Sequence, residues 1–261
     1  MQGVEELFAE QRHQIIIQRL NQYKSIRASE LMEHFEVSFE TIRRDLEYLE
    51  SEGYLRRVHG GAIPNEPDYS REIPLPIRES IYMEEKTELA QIAVRNVTEG
   101  MSIALDPSTT NTQIAKALKA KFDRLTVITN SLSIVNELVS MPGYTVIMTG
   151  GVIRHEEQSI IGDLAEEFSS RFHADLFFMS MSRVTLEAGI TDYGVGEIQV
   201  KKIMLSNVKR CIALADSSKF GQNSFIKVCG AAEVERFVTD SKIDRDIVEQ
   251  FRKNGIEIVY K

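Results

Sequence analysis

The chain has 261 residues, 43% of them apolar and 27% charged, which is ordinary globular usage and excludes collagen-like, low-complexity and wholly disordered chains. Against 31 Lys and Arg stand 39 Asp and Glu, a net charge of −8, so there is no general basic coat for nucleic acid or anionic lipid and any phosphate contact must be local. No stretch approaches the ~20 apolar residues of a membrane span, and the opening MQGVEELFAEQ lacks a basic region and an apolar signal core. A cytoplasmic protein with no membrane partner is expected. Cys211 and Cys229 sit in apolar stretches without CxxC spacing and read as reduced packing residues, not as a disulfide or metal pair.

From the amino terminus, Ile15, Ile16, Leu20 and Tyr23 recur at helical spacing, and Leu31, Met32 and Phe35 repeat the pattern after a short gap. A third helix starts after Ser38, a capping residue ahead of Ile42, Leu46 and Leu49, and stops at Gly53. YLRRV then alternates into Gly60-Gly61, the pattern of a hairpin with a tight turn. Four of the six prolines (Pro64, Pro67, Pro74 and Pro76) follow within 13 residues. Proline removes backbone donors and biases its predecessor toward extended conformations, so residues 63–80 are expected to be a Pro-rich linker. It would join a domain over 1–62 to one over 81–261.

The second unit repeats short apolar runs followed by amphipathic stretches of helical length. The runs are 101–105, 125–129, 144–149, 176–181, 211–215, 236–239 and 256–260; the helices are expected over 111–118, 131–138, 163–172 and 197–206. This βα rhythm predicts an α/β domain, a mainly parallel twisted sheet covered on both faces in the Rossmann-like manner.

Two constellations stand out. On the third helix, a rotation of about 100° per residue puts Ile42, Leu46 and Leu49 on one face and Glu40, Arg44 and Glu47 roughly opposite, with Arg43 on the flank. Thr41 sits near the amino end, where unpaired backbone N–H groups attract phosphate. Guanidinium groups engage guanine edges or clamp phosphates, so an exposed Arg43-Arg44 pair suits major-groove entry. Residues 1–64 hold eight Lys and Arg against eleven Asp and Glu, so charge does not identify a DNA binder. An Arg-Arg pair alone is more often a solvated face. The order of elements decides: two short helices, a capped third helix and a hairpin bearing Arg56, Arg57 and His59 outline a winged helix-turn-helix.

In the second unit, four apolar runs end in polar residues: Asp106-Pro-Ser108-Thr109-Thr110, Thr129-Asn130-Ser131, Gly150-Gly151, and Asp216-Ser217-Ser218-Lys219. In an open parallel sheet such ends line one crevice. Ser108, Thr109 and Thr110 offer hydroxyls and free donors at a helix start, and Lys219 neutralises an anion. Asp106 and Asp216 would repel phosphate and suit sugar hydroxyls or loop fixing. Singly, Ser108 and Ser131 are equally well explained as helix caps and Gly150-Gly151 as a turn. Together the four loops imply a small phosphorylated polyol.

The stretch VSFETIRRDLEYLESEGYLRRVHGGA (37–62) resembles the signature of DeoR-family bacterial transcriptional regulators, a long and specific match. The resemblance implies that Ser38, Thr41, Arg43 and Arg44 face operator DNA, that Arg57, His59, Gly60 and Gly61 form the wing, and that Phe39 and Glu40 occupy variable, sequence-discriminating positions. From about residue 80 the chain is similar to the family's effector domain, whose fold is shared with ribose-5-phosphate isomerase. The matches are Asp106 to Thr110, Thr129 to Ser131, Gly150-Gly151 and Leu214 to Gly221, with Lys201 at a further basic position. Such domains typically sense sugar phosphates. The family's glycine-containing loop after the LFF strand is replaced here by Ser180-Met181-Ser182-Arg183-Val184.

These readings imply a sequence-specific repressor of carbohydrate genes, acting as a homo-oligomer (dimer or tetramer) on operator DNA, without cofactor or metal. No nucleophile elbow, phosphate-binding P-loop or zinc motif occurs, and five scattered histidines lack ligand spacing. The competing reading is a sugar-phosphate isomerase-like enzyme with an appended DNA-binding module, using Asp106, Asp216 and Lys219 as acid-base groups.

Overall fold

A computed structural model describes residues 9–51, 53–64, 73 and 75–261, and the chain divides after Ile81 into two units. The first runs α1 (Ala9–Tyr23), β1 (Ile26–Arg27), α2 (Ala28–Phe35), α3 (Phe39–Ser51), β2 (Leu55–Val58), β3 (Gly61–Pro64) and α4 (Leu75–Ser80). Its core is the predicted apolar stripe: Ile16 and Leu20 from α1, Leu31 and Phe35 from α2, and Ile42, Leu46 and Leu49 from α3 are all nearly inaccessible. Tyr23, read as part of that stripe, is instead exposed at the helix end. Antiparallel β2 and β3 form the expected hairpin, and β1 joins on the outer side of β3.

The expected linker over 63–80 is partly built. Pro64 ends β3, and α4 occupies its last six residues with Leu75 and Ile77 buried beside α1. Pro76 is compatible with this because the N–H groups of a first helical turn have no intrahelical partner to lose. Pro67 and Pro74 lie outside the described residues. The apolar Leu-Pro-Ile-Arg-Glu-Ser-Ile pattern, not the proline count, governs the end of this segment.

The second unit runs α5 (Met83–Ala93), β4 (Ser102–Leu105), α6 (Thr109–Lys121), β5 (Thr126–Thr129), α7 (Leu132–Leu138), β6 (Thr145–Met148), β7 (Val152–Arg154), β8 (Ser159–Ile161), α8 (Asp163–Ser170), β9 (Ala174–Ser180), β10 (Arg183–Thr185), β11 (Gly189–Asp192), α9 (Val195–Ser206), β12 (Val208–Leu214), β13 (Ile226–Cys229), β14 (Arg236–Val238), α10 (Arg245–Lys253) and β15 (Ile258–Val259). Seven strands form one sheet in the order β15-β14-β12-β9-β4-β5-β6, parallel at every pairing. Each is one of the seven predicted runs.

Strand β9 shows why a parallel sheet buries both faces. Phe177 and Met179 point to one core with Ala104, Ala213 and Phe237, covered by α8, α9 and α10; Leu176 and Phe178 point to the other with Ile103, Leu105 and Leu214, covered by α5, α6 and α7. Phe177 and Phe178 have no accessible surface, and truncating either to Ala is a change of about 3–5 kcal/mol. The hairpin β7-β8 and the antiparallel sheet β10-β11-β13 were not anticipated. Connections from β4 run outward through β5 to β6, while those from β9 run the opposite way through β12 and β14. The topological switch point therefore lies between β4 and β9, where an α/β sheet opens a ligand crevice.

Candidate nucleic-acid interface and effector site

The amino end of α3 is capped as its sequence dictates: the Ser38 hydroxyl accepts from the Thr41 N–H at 3.2 Å and lies 3.0 Å from the Thr41 hydroxyl. Burial of Ile42, Leu46 and Leu49 fixes the helix rotation and leaves Phe39, Glu40 and Arg44 exposed, with Thr41 and Arg43 half-buried. Arg44 is the freest, its side chain 74% exposed. The helix is held by Asp45, which is buried and accepts from Arg12 Nε at 2.8 Å while lying 2.9 Å from His13 Nε2. Burial raises the Asp45 carboxyl, but the His13 and Arg12 contacts outweigh it and leave the group below its ordinary value. Sequence reading missed this anchor because Asp45 is an unmarked acid whose partners lie 32 and 33 residues away.

On the wing, His59 and Gly60 form the exposed turn, Gly60 with φ +81° and open space where a Cβ would stand. Gly61 departs from the expectation of a DNA-facing residue. It is buried, and a Cβ there would lie 2.0 Å from the Ile26 carbonyl oxygen, so its place is in the β1–β3 packing. A cleft of about 340 Å³ between α3 and the wing is lined by Phe39, Arg43, Arg57, Val58 and His59 among others. Both arginines that line this cleft, and Arg44 beside it on α3, have a carboxylate. Arg43 donates to Glu40 at 2.8 and 2.9 Å and to Glu47; Arg57 donates to Glu47 at 2.9 Å and to Glu50 at 2.7 Å; Arg44 donates to Glu40 at 3.1 Å. Hydrogen bonds from Arg43 and then Arg44 hold the Glu40 carboxyl down at about 2, so it stays ionised near neutrality.

In the second unit the polar strand ends meet at the β4/β9 switch point. Asp106, following β4, accepts from the Ser180 N–H at 2.8 Å, the Ser180 hydroxyl at 2.5 Å and Asn111 Nδ2 at 2.9 Å. Lys201 reaches beneath from α9, its ammonium 3.0 Å from Asp106 Oδ2 and 2.5 Å from Asp192 Oδ2, and donates to the Ser180 carbonyl at 3.0 Å. Burial alone would lower Lys201, yet Asp106 and Asp192 raise it above the ordinary lysine value, so it is a locked ammonium. Asp192, also held by the Ser182 hydroxyl and the Tyr193 N–H, is depressed despite burial. With its oxygens occupied and 1% of its surface accessible, Asp106 fixes loops and is not an open acceptor for sugar hydroxyls.

The loop after β12 is anchored from both sides. Phe220 is buried with its ring against Phe237 and Phe251, Asp216 accepts from the Ser218 N–H and hydroxyl, and the Ser217 N–H donates to Asp240 at 2.6 Å. This turns Lys219 toward β9, where Nζ donates to the Met181 carbonyl at 2.7 Å and lies 3.8 Å from Asp216. Arg183, in the stretch that departs from the family pattern, donates to the Ser218 carbonyl at 2.8 Å and braces the same loop. The Asp106, Lys201, Asp216 and Lys219 groups are thus joined by one hydrogen-bonded network through residues 180–183.

Ser108 and Ser131 are caps: they accept from Asn111 N at 2.9 Å and Ile134 N at 3.3 Å. Thr129 donates to the Leu105 carbonyl at 2.7 Å, and Asn130 donates to the Ile160 carbonyl at 2.9 Å, tying β5 to β4 and β8. Thr109 and Thr110 are buried in the first turn of α6. Gly151 has φ +145° and no room for a Cβ beside Ile161, whereas Gly150 faces open space. Polar capacity nevertheless remains at this end of the sheet: Thr110 Oγ1, Asn111 Oδ1, Asn130 Oδ1, Thr149 Oγ1 and Thr239 Oγ1 are buried without a hydrogen-bond partner. Sequence reading assigned no role to Asp192 or Ser180; Asp192 follows Gly189-Ile190-Thr191, which carries no motif, and only the meeting of α9 with the end of β11 shows its use. Cys211 and Cys229 are buried and unbonded to each other, with burial pushing both thiols up. Among the described residues no group of three or more acidic, His or Cys side chains is arranged to hold a metal ion, and no helix is long and apolar enough to cross a membrane.

An arginine-bearing third helix beside a hairpin wing, joined in one chain to a parallel-sheet domain with a polar switch point, defines a winged helix-turn-helix regulator with a sensor domain. The chain belongs to the DeoR family of transcriptional regulators: residues 12–68 match the DeoR-like helix-turn-helix domain and residues 81–241 the DeoR C terminal sensor domain. It is 34% identical to the HTH-type transcriptional regulator GolR of Listeria innocua over 97% of this chain and 98% of that one. It is 29% identical to the glycerol-3-phosphate regulon repressor of Escherichia coli K12 over 95% and 97%. A ribose 5-phosphate isomerase A from Methanocaldococcus jannaschii overlaps 52% of this chain and 53% of its own at a TM-score of 0.39 and 18% identity, an overlap too partial to bear on chemistry. The chain is accordingly a DNA-binding regulator and not an enzyme, and the isomerase-like reading falls.

Proposed function

We propose that this regulator is a cytoplasmic repressor of carbohydrate genes that binds operator DNA as a homo-oligomer, a dimer or tetramer, and that a phosphorylated sugar or polyol sets its DNA affinity. The observation that supports the effector class most is the network at the β4/β9 switch point. It combines the Lys219 ammonium and the α6 amino terminus at Thr109 and Thr110 with buried polar atoms that still lack partners. Unsatisfied buried polar groups cost stability, and a polyol phosphate has the donors and acceptors to satisfy them. The E. coli relative named for the glycerol-3-phosphate regulon supports the same class. Thr109, Thr110, Thr129, Asn130, Gly150 and Lys219 would surround the ligand, with Ser108, Ser131 and Gly151 shaping the backbone and Asp106, Lys201 and Asp216 holding it.

For DNA, Ser38, Thr41, Arg43, Arg44, Arg57 and His59 contact the duplex, with Phe39 and Glu40 at the discriminating positions. One recognition helix buries little surface, which is why more than one subunit is required for operator affinity. The ligand favours one arrangement of sensor domains and so alters half-site spacing. A thermal-shift screen of phosphorylated sugars against their unphosphorylated counterparts tests the effector. At a hundredfold excess over Kd a ligand of the native state adds about 2.7 kcal/mol, a rise of about 5–11 °C at this domain size. Equal shifts from unphosphorylated sugars, or none from any phosphorylated one, would overturn the effector assignment.

A further inference from the structure

Three carboxylates share the face that is read here as DNA-binding. Glu40 pairs with Arg43 and Arg44, Glu47 bridges Arg43 of the helix to Arg57 of the wing, and Glu50 accepts from both the backbone N–H and Nε of Arg57. Each of these three guanidiniums is therefore already paired with a carboxylate of the protein. The pairs are open to solvent: side-chain exposure is 50% at Glu40, 37% at Glu47 and 38–74% across the three arginines. They exchange partners readily because exposed ion pairs are weak.

Rest and engagement make opposite demands on this cluster. With no DNA present, Glu47 and Glu50, both on α3, tie that helix to the wing through Arg57. On random DNA, phosphate has to displace a carboxylate that is already in place, and the displaced carboxylate then sits among phosphates of its own sign. Only a sequence whose base edges repay the exchange makes it favourable.

We infer, resting on the reading that α3 and the wing face DNA, that Glu40 and Glu47 are specificity-determining residues, internal counter-ions that suppress binding to non-cognate duplex by occupying Arg43, Arg44 and Arg57. Glu50 is excluded because its bond to the Arg57 backbone N–H also holds the wing against α3.

The test needs no operator. The full chain and its Glu40→Gln, Glu47→Gln and doubly substituted forms are titrated onto a random-sequence duplex by fluorescence anisotropy between about 50 and 200 mM salt. Glutamine keeps an acceptor for arginine while removing the charge. Each arginine released to phosphate steepens the slope of log K against log salt by about 0.9 and tightens binding about eightfold at 0.1 M salt. We therefore expect Glu40→Gln, which leaves Arg44 without its carboxylate, to bind the random duplex about eightfold more tightly, Glu47→Gln, which leaves Arg43 with Glu40 and Arg57 with Glu50, to gain less, and the double variant, which frees Arg43 as well, to gain most. Glu249→Gln, which removes an exposed charge paired with Arg252 in the second unit, controls for net charge. Unchanged affinity and slope, weaker binding in either variant, or an equal gain from Glu249→Gln overturns the inference while the DNA-binding reading stands. No binding by the unaltered chain at the lowest salt overturns both.

Discussion

Replacing Lys201 with Met removes the one ammonium between two buried carboxylates. Asp106 and Lys201 expose 1% and 3% of their side chains, and Asp192 exposes 14%. Methionine fills similar volume, so the loss is electrostatic: Asp106 keeps Ser180 and Asn111, but Asp192 retains only the Ser182 hydroxyl and the Tyr193 N–H. Breaking a buried pair on one side costs about 3–5 kcal/mol because an uncompensated charge remains. In a unit of this size that lowers Tm by about 6–20 °C. The pH dependence gives a second, independent signature. In the native protein the raised Lys201 adds stability that is present below its unfolded value and lost as pH rises through the folded one; the depressed Asp192 adds stability lost only as pH falls. In the variant Asp192 loses the ammonium that held it down, so protonation relieves it and the deficit shrinks between pH 8 and pH 5. Urea denaturation followed by far-ultraviolet circular dichroism at the two pH values measures this. A loss under about 1 kcal/mol at pH 8, or a deficit that grows toward pH 5, would refute the role of the pair.

Arg44→Ala is expected to weaken operator binding by about 1–3 kcal/mol without changing the melting curve; wild-type affinity at matched salt removes Arg44 from the interface. Gly61→Ala should abolish DNA binding by prising β3 from β1, while Gly60→Ala, with open space but a positive φ, should cost only about 1 kcal/mol; equal melting temperatures for the two in circular dichroism would sink this distinction. Lys219→Ala should abolish the thermal shift given by the phosphorylated ligand and leave DNA affinity unchanged in gel shift, and a retained shift takes Lys219 out of the site.

The parallel sheet was legible because its signals are local. Runs such as MSIAL and LTVIT are buried on both faces, so they read as continuous apolar stretches, and helices of predictable length separate them. Strands β10, β11 and β13 were not legible. They are three or four residues long, and Ile190 pairs with Cys229, 39 positions on, so no local pattern marks them. The same distinction divides the sites. Ser38, Arg43, Arg44 and Lys219 could be read from motifs, but Asp45 and Asp192 could not, since their roles exist only once α1 meets α3 and α9 meets β11. For Asp106 the sequence left two roles open, sugar hydroxyls or loop fixing, and only the fold decides for the second, because its oxygens are occupied by Ser180, Asn111 and Lys201.

The strand order also governs how the chain can be made. As the polypeptide leaves the ribosome, β4, β5 and β6 emerge within 47 residues and can assemble from neighbouring pieces, but the other flank of β4 pairs only with β9, through contacts such as the Ser102 hydroxyl to Asp175, 73 positions later. Until then the nascent sheet presents Ile103, Ala104 and Leu105 along an open, sticky border, and pairings of such long range close slowly. Translation pauses or chaperone capture between these two points therefore bear on the yield of active regulator more than the same events after residue 180.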